Sequence, residues 1–113
     1  MNSNTYYPKI KKIADTYGYD AQSRQCIEEM AELTQAINKM WRAKNNAVNA
    51  TTSTEIMRYD AIFLNKKKNL IEEIADVQIM LWQMEYLLNA DVIPIIEQKL
   101  ERQLERIEKC TNS

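Results

Sequence analysis

Two acidic segments of matching composition are the part of this sequence best suited to chemistry. Residues 27–33 have the sequence I-E-E-M-A-E-L, and residues 71–77 have the sequence I-E-E-I-A-D-V. In each segment two acidic residues stand three positions apart. On an α-helix this spacing places both carboxylates on one face, with Cβ atoms about 5–6 Å apart. The two pairs are Glu29 with Glu32 and Glu73 with Asp76.

Packing these two helices together would make four carboxylates converge, and their charge would have to be neutralised. Two unit charges 4 Å apart repel by about 4 kcal/mol at an effective dielectric constant of 20. Protonation or a divalent cation could remove the repulsion. A ligand set of oxygens alone, without His or Cys, favours Mg²⁺ over zinc or copper, with Mn²⁺ as a substitute. We therefore predict a magnesium site formed by Glu29, Glu32, Glu73 and Asp76; for either segment alone, a solvated helix face is the simpler interpretation.

The composition excludes several other kinds of site. A single Gly rules out the G-x-x-x-x-G-K-[ST] and G-x-G-x-x-G nucleotide-binding loops. The absence of His removes Ser-His-Asp triads, H-E-x-x-H zinc helices and the ferritin-like di-iron bundle. A net charge of −1 argues against nucleic acid or an anionic membrane as a partner. Catalysis would have to use carboxylates, Lys, Arg, Tyr or Cys.

The length and composition predict one helical domain over residues 1–113. The chain is 45% apolar and 27% charged, which suits a packed core, and one Gly with two Pro leaves little from which to build β-turns. Cys26 and Cys110 stand far apart without a C-x-x-C motif, a pattern typical of reduced thiols. The first residues lack a signal-peptide pattern, and residues 77–88 are too short and polar to span a bilayer. We expect a cytoplasmic protein.

Capping signals divide the chain into four predicted helices. Gly18 is a stop signal, Thr52 with Glu55 is a plausible capping box, and Asp91 is a candidate N-cap with Pro94 in the first turn that follows. The expected helices cover about 5–17, 20–44, 52–89 and 91–109, with a flexible polar connection at 45–54. The third is either continuous or broken near residues 65–69. The predicted fold is an all-α, four-helix bundle.

Other residues can be assigned to the acidic faces by their helical spacing. Gln25 lies four positions before Glu29, and Lys39 lies seven after Glu32, so both point with the carboxylates. The apolar neighbours predict that both acidic pairs border the core. These neighbours are Ile27, Met30, Leu33 and Ile37 in the second helix, and Leu70, Ile74, Val77 and Leu81 in the third.

The fourth helix is amphipathic, with an apolar stripe between an anionic and a cationic one. The cationic stripe is either a solvated surface or a surface that faces an anionic ligand. The apolar stripe contains Ile93, Ile96, Leu100, Leu104 and Ile107, and the cationic stripe contains Lys99, Arg102, Arg106 and Lys109.

The doubled motif resembles that of the MazG-like all-α nucleoside triphosphate pyrophosphohydrolases. Their E-E-x-x-E motif, followed by E-x-x-D on the next core helix, corresponds to residues 28–32 and 73–76. The likeness is greatest to the small single-domain members found in phage and Gram-positive bacteria, and it covers roughly residues 17–107. One departure is an unusually long insert at 45–69 between the two acidic pairs, which could reshape the pocket for the base.

The resemblance implies Mg²⁺-dependent hydrolysis of an NTP or dNTP to the monophosphate and pyrophosphate. It also implies a bundle that forms a homodimer or homotetramer. Glu29, Glu32, Glu73 and Asp76 match the metal ligands of that family. Its phosphate-contacting Lys and amide residue would fall on Lys99 and Gln103.

The remaining roles follow from the chemistry such a reaction needs. Glu28 or Glu72, the spare acid of each motif, could orient or deprotonate the attacking water. Gln25 is a further candidate for substrate binding, and the cations best placed to hold the β- and γ-phosphates are Lys39, Lys99 and Arg102. The alternative function is a non-catalytic helical module that binds nucleotide or another protein on the same scaffold.

Overall fold

The computed structural model describes the backbone of residues 3–112 and the side chains of residues 5–111. The described chain contains three α-helices and no strand: α1 (Ser3–Val48), α2 (Ser53–Leu87) and α3 (Ile93–Asn112). The prediction of an all-α protein is confirmed. The predicted four-helix bundle is not formed within the described residues, because they contain three helices and only α1 and α2 pack together. α2 continues without a break through residues 65–69. Of these three helices in the described part of the chain, none is both long and apolar enough to cross a membrane.

The difference between four predicted helices and three observed ones arises at Gly18. Two helical stretches meet there at a kink, where Gly18 has φ 84° and ψ 171°. Such a positive φ is readily adopted only by glycine. A Cβ atom at this position would meet nothing within 4 Å, so conformation and not space requires the glycine. The predicted boundary is therefore present as a bend within α1, without a connecting loop.

The connection between α1 and α2 is shorter than the predicted 45–54 segment. α1 continues to Val48, and only residues 49–52 lie outside the two helices. Thr52 is the N-cap of α2, as predicted, because its Oγ1 accepts a hydrogen bond from the Glu55 backbone N–H at 3.1 Å. The Glu55 carboxylate accepts in return from the backbone N–H of Thr51 at 3.4 Å, not from that of Thr52.

α1 and α2 pack antiparallel along a narrow seam with alternating spacings of three and four residues. This is the spacing of helices whose side chains interdigitate in a coiled-coil manner. The less exposed positions that define the seam are 22, 26, 29, 33, 36, 40 and 43 on α1, and 59, 63, 66, 70, 73, 77 and 80 on α2. Glu29 and Glu73 therefore lie within the contact itself.

The predicted core is only partly correct. Leu33, Leu70 and Val77 lie on it, but several predicted core residues stand beside it and are exposed. An amphipathic helix has a broad apolar stripe, and a two-helix contact covers only a narrow strip of it. The apolar side chains left uncovered are Ile27, Met30, Ile37, Ile74 and Leu81.

A buried amide pair fixes the seam at one end. Gln22 Nε2 donates a 2.7 Å hydrogen bond to Gln83 Oε1, and Gln83 is only 1% exposed.

We expect Gln83→Leu to lower the free energy of unfolding by about 1–3 kcal/mol, because it leaves the Gln22 amide buried without its partner. Replacing both glutamines by Leu should recover most of that loss, since no polar group is then stranded. Urea unfolding of the two variants measures the difference; a double variant less stable than the single one would contradict this account.

α3 stands apart from the α1–α2 hairpin. No Cα atom of α3 lies within 8 Å of one in α1 or α2, and residues 93–111 are all exposed. The helix begins at Ile93, where the Asp91 carboxylate accepts a 3.1 Å hydrogen bond from the Ile93 backbone N–H. The N-cap of α3 is Val92, because its carbonyl accepts the first helical hydrogen bond, from the Ile96 backbone N–H. Asp91, the predicted N-cap, therefore lies one residue before it.

Candidate functional site

Three of the four predicted carboxylates meet between α1 and α2. Glu29 and Glu73 face each other from the two sides of the seam, and Glu32 lies one turn along α1. Each of the three offers an oxygen, and these oxygens all lie within 4.8 Å of one another. Asp76 is one turn along α2 from Glu73, but it is exposed and is not part of this group. We call Glu29, Glu32 and Glu73 the acidic cluster.

Two oxygen atoms of the acidic cluster are shielded from solvent and accept no hydrogen bond from any residue between 5 and 111. They are Glu29 Oε2 and Glu73 Oε2. The other Glu29 oxygen accepts a 3.0 Å bond from Gln25 Nε2. Buried polar atoms without partners are rare in native proteins, because each one loses its hydration without compensation. The donor set is made of hard oxygens, and such a set fits Mg²⁺ or Mn²⁺.

The acidic surroundings of Glu73 perturb its ionisation. Burial raises the pKa of its carboxyl above the ordinary value of 4.5, and the charges of Glu32, Asp76, Glu29 and Glu72 raise it further. Asp76 therefore influences the cluster through its charge although its carboxylate lies outside it. The geometry concentrates negative charge where a cation or a proton would relieve it.

This raised pKa predicts how the stability of the metal-free protein depends on pH. Folded Glu73 holds its proton more tightly than unfolded Glu73 does, so protonation favours the folded state. The contribution of Glu73 to the free energy of unfolding is fully present below pH 4.5, the ordinary pKa of the carboxyl. It is lost as the pH rises through the higher pKa that Glu73 has in the folded state. We expect the melting temperature, measured with a chelator by circular dichroism, to fall across this window more steeply for the wild type than for Glu73→Gln. Parallel profiles of the two proteins would show that Glu73 has no such effect.

A cavity of about 290 Å³ adjoins the acidic cluster on the side of the α1–α2 connection. Lys39, a predicted phosphate ligand, lines it together with Glu32 and Glu73. Three further polar residues line it that were not among the predicted site residues: Gln35, Lys66 and Asn69. The sequence did contain a signal for Lys66, because it lies seven positions before Glu73 as Lys39 lies seven after Glu32.

The other predicted site residues fall into two groups. Glu28 and Glu72 are exposed beside the seam, and Gln25 is exposed while donating to Glu29. The predicted phosphate ligands of α3 are exposed on a helix whose Cα atoms all lie more than 8 Å from those of α1 and α2, so a single chain does not bring them to the acidic cluster. These residues are Lys99, Arg102 and Gln103.

Comparison with known proteins adds no relative. No protein-family model, no curated protein and no solved structure matches the chain. The site consists of three converging carboxylates and a polar cavity with two lysines at its side. Two of the carboxylate oxygens are buried and have no partner among the described residues.

Proposed function

We propose that this protein hydrolyses nucleoside triphosphates, either NTP or dNTP, to the monophosphate and pyrophosphate in a Mg²⁺-dependent reaction. The observation that carries the proposal is the pair of buried, unpartnered oxygens on Glu29 and Glu73, which lie within a group of three carboxylates. Glu29, Glu32 and Glu73 would hold the metal, with Asp76 one turn away as a fourth ligand. The sequence resemblance to the MazG-like pyrophosphohydrolases supports the same reaction.

The charge pattern around the cluster is consistent with a polyanionic substrate. Carboxylates alone would repel a triphosphate, and cations between them would turn this repulsion into attraction. Mg²⁺, when bound, supplies Lewis-acid polarisation of the phosphoryl group and lowers the pKa of a coordinated water. Lys39, on the cavity side, supplies a positive charge that positions the outer phosphates.

Glu28 and Glu72 are the two candidates for orienting or deprotonating the attacking water. Each is exposed beside the seam and precedes a residue of the acidic cluster in the sequence, Glu29 or Glu73. Comparing pyrophosphate release by Glu72→Gln and Glu28→Gln would separate the two, because loss of the general base lowers turnover by about 10²–10⁴-fold.

The proposed reaction is tested directly by its products. The purified protein is incubated with a panel of NTPs and dNTPs, with Mg²⁺ or with a chelator, and pyrophosphate and monophosphate are measured. We expect equal amounts of both products, only when Mg²⁺ is present. Inorganic phosphate as the sole product, or no metal-dependent turnover of any nucleotide, would contradict the proposal. Nucleotide binding without turnover would favour the non-catalytic module.

We further propose that the functional unit is a homodimer or homotetramer. The chain has a radius of gyration of 19.1 Å, whereas a compact domain of this length has about 13 Å. It exposes 8955 Å², whereas a monomer of 13.3 kDa exposes about 6,500 Å². The excess of exposed area in each chain is comparable to the area that a large, stable protein–protein interface buries.

A second copy of the chain would suit the uncovered surfaces. The apolar stripe of α3 and the apolar residues beside the α1–α2 seam are both exposed, and two copies could cover them mutually. Such packing offers a route by which Lys99, Arg102 and Gln103 of one copy could approach the acidic cluster of another. This arrangement would supply the phosphate contacts on α3 that a single chain leaves at a distance.

A further inference from the structure

Lys39 and Lys66 are arranged symmetrically about the acidic cluster. Lys39 follows Glu32 by seven residues on α1, and Lys66 precedes Glu73 by seven residues on α2. Because the two helices are antiparallel, both steps lead in the same direction, towards the α1–α2 connection. Seven residues correspond to about 10 Å along a helix axis, or two turns. Both lysines line the same cavity as Glu32 and Glu73.

Amide side chains occupy the turn between the carboxylates and the lysines. Gln35 lies three residues after Glu32, and Asn69 lies four residues before Glu73. Both line the cavity, where Ala36 contributes only a methyl group and leaves space at the seam. Along the hairpin the cavity therefore presents carboxylates, then neutral amide donors, then ammonium groups.

We propose that this cavity binds the β- and γ-phosphates of the substrate, and that Lys66 is a phosphate-binding residue together with Lys39. The inference deepens the proposed function and rests on it. With the α-phosphoryl group at the acidic cluster, the outer phosphates extend towards the α1–α2 connection. There the side-chain amides donate hydrogen bonds to the phosphates, and the two lysine ammonium groups supply positive charge opposite their negative charge. Lys66 belongs to the insert at 45–69, which thereby supplies a phosphate contact.

The lining of the cavity favours phosphate over a nucleobase. Among the described residues that line it, none is aromatic and Ala36 alone is apolar. A nucleobase is normally held between apolar or aromatic side chains. Within residues 5–111 neither lysine forms an ion pair with a carboxylate, so both ammonium groups are available to a ligand. Lys66 is also half-buried, whereas Lys67 and Lys68 beside it are exposed.

The run Lys66-Lys67-Lys68 supplies a matched control. We would measure binding of inorganic tripolyphosphate to the full-length protein by calorimetry in the presence of Mg²⁺, for the wild type, Lys66→Met and Lys67→Met. Both variants remove one positive charge from the same helix, but only Lys66 lines the cavity. We expect Lys66→Met to weaken binding about tenfold or more, since a charged hydrogen bond to phosphate is lost, and Lys67→Met to bind nearly as the wild type does. Circular dichroism checks that both variants are folded.

The outcomes separate this inference from the proposed function. Equal affinities of Lys66→Met and the wild type, or equal losses in both variants, would overturn it even if the wild type releases pyrophosphate from nucleotides. A selective loss in Lys66→Met would support it even if no nucleotide is hydrolysed, in which case only the reaction is wrong. A protein that binds nucleoside triphosphates but not tripolyphosphate would place the recognition elsewhere and would also overturn it.

Discussion

Glu73→Gln is expected to lower Mg²⁺-dependent pyrophosphate release by about two orders of magnitude or more, as the loss of a metal-bound or transition-state-stabilising group does in other enzymes. Glu73 lies in the helix seam opposite Glu29, and its buried Oε2 has no hydrogen-bond donor. An amide at this position keeps the size of the side chain but removes the charge that would hold the metal. The measurement is the initial rate of pyrophosphate formation from the best nucleotide of the panel.

The same substitution should not weaken the fold, and this distinguishes a loss of chemistry from unfolding. The charges of neighbouring acids raise the pKa of Glu73, so removing its charge relieves repulsion within the cluster. Without metal, Glu73→Gln should therefore melt at a temperature no lower than the wild type at neutral pH. With Mg²⁺ the order should reverse, because only the wild type gains the free energy of metal binding.

Asp60→Asn is the matched control, because Asp60 is an exposed acidic residue on the same helix and lies away from the acidic cluster. It removes the same formal charge and should leave the rate unchanged. Asp76→Asn should lower the rate as Glu73→Gln does if Asp76 completes the ligand set. Full activity of Glu73→Gln, or an equal loss in Asp60→Asn, would contradict a catalytic acidic cluster.

The acidic cluster shows what local spacing can predict. An i, i+3 pair on each of two helices predicts four converging carboxylates; Glu29, Glu32 and Glu73 come together, whereas Asp76 is exposed and lies outside the cluster. The Thr52 cap was predictable, and Gly18 was predicted as a helix end where the structure has a bend within α1. Metal binding by the cluster stays a prediction.

Long-range packing was less accessible to the sequence. Ile27 and Ile74 have the hydrophobicity of core residues, yet they are exposed, while Glu29, Glu73 and Gln83 occupy the seam. Hydrophobicity indicates that a side chain will be covered but not whether its own chain or another copy covers it. For Lys66 the spacing of seven residues from Glu73 was a local signal, but only the antiparallel pairing of α1 with α2 shows that it shares a cavity with Lys39.

Leu100→Glu is expected to dissociate the proposed oligomer. Leu100 lies near the middle of the α3 apolar stripe, between Ile96 and Leu104, and all three are exposed in the single chain. A carboxylate buried there would be desolvated without a partner, and in a symmetric assembly the cost is repeated in every copy. We expect the dissociation constant to rise by about 100-fold or more, as at the centre of other interfaces. Light scattering should show a mass of two or four times 13.3 kDa for the wild type and a shift towards 13.3 kDa for the variant.

Gln98→Glu is the control for this effect, because it adds the same charge to α3 about half a turn away from the apolar stripe. It should leave the mass unchanged. If Lys99 and Arg102 reach the acidic cluster of another copy, Leu100→Glu should also lower pyrophosphate release, and the loss should diminish as the protein concentration is raised. A wild-type protein of 13.3 kDa at all concentrations would show that α3 is exposed in solution, and the phosphate contacts would then have to come from Lys39 and Lys66 on the hairpin itself.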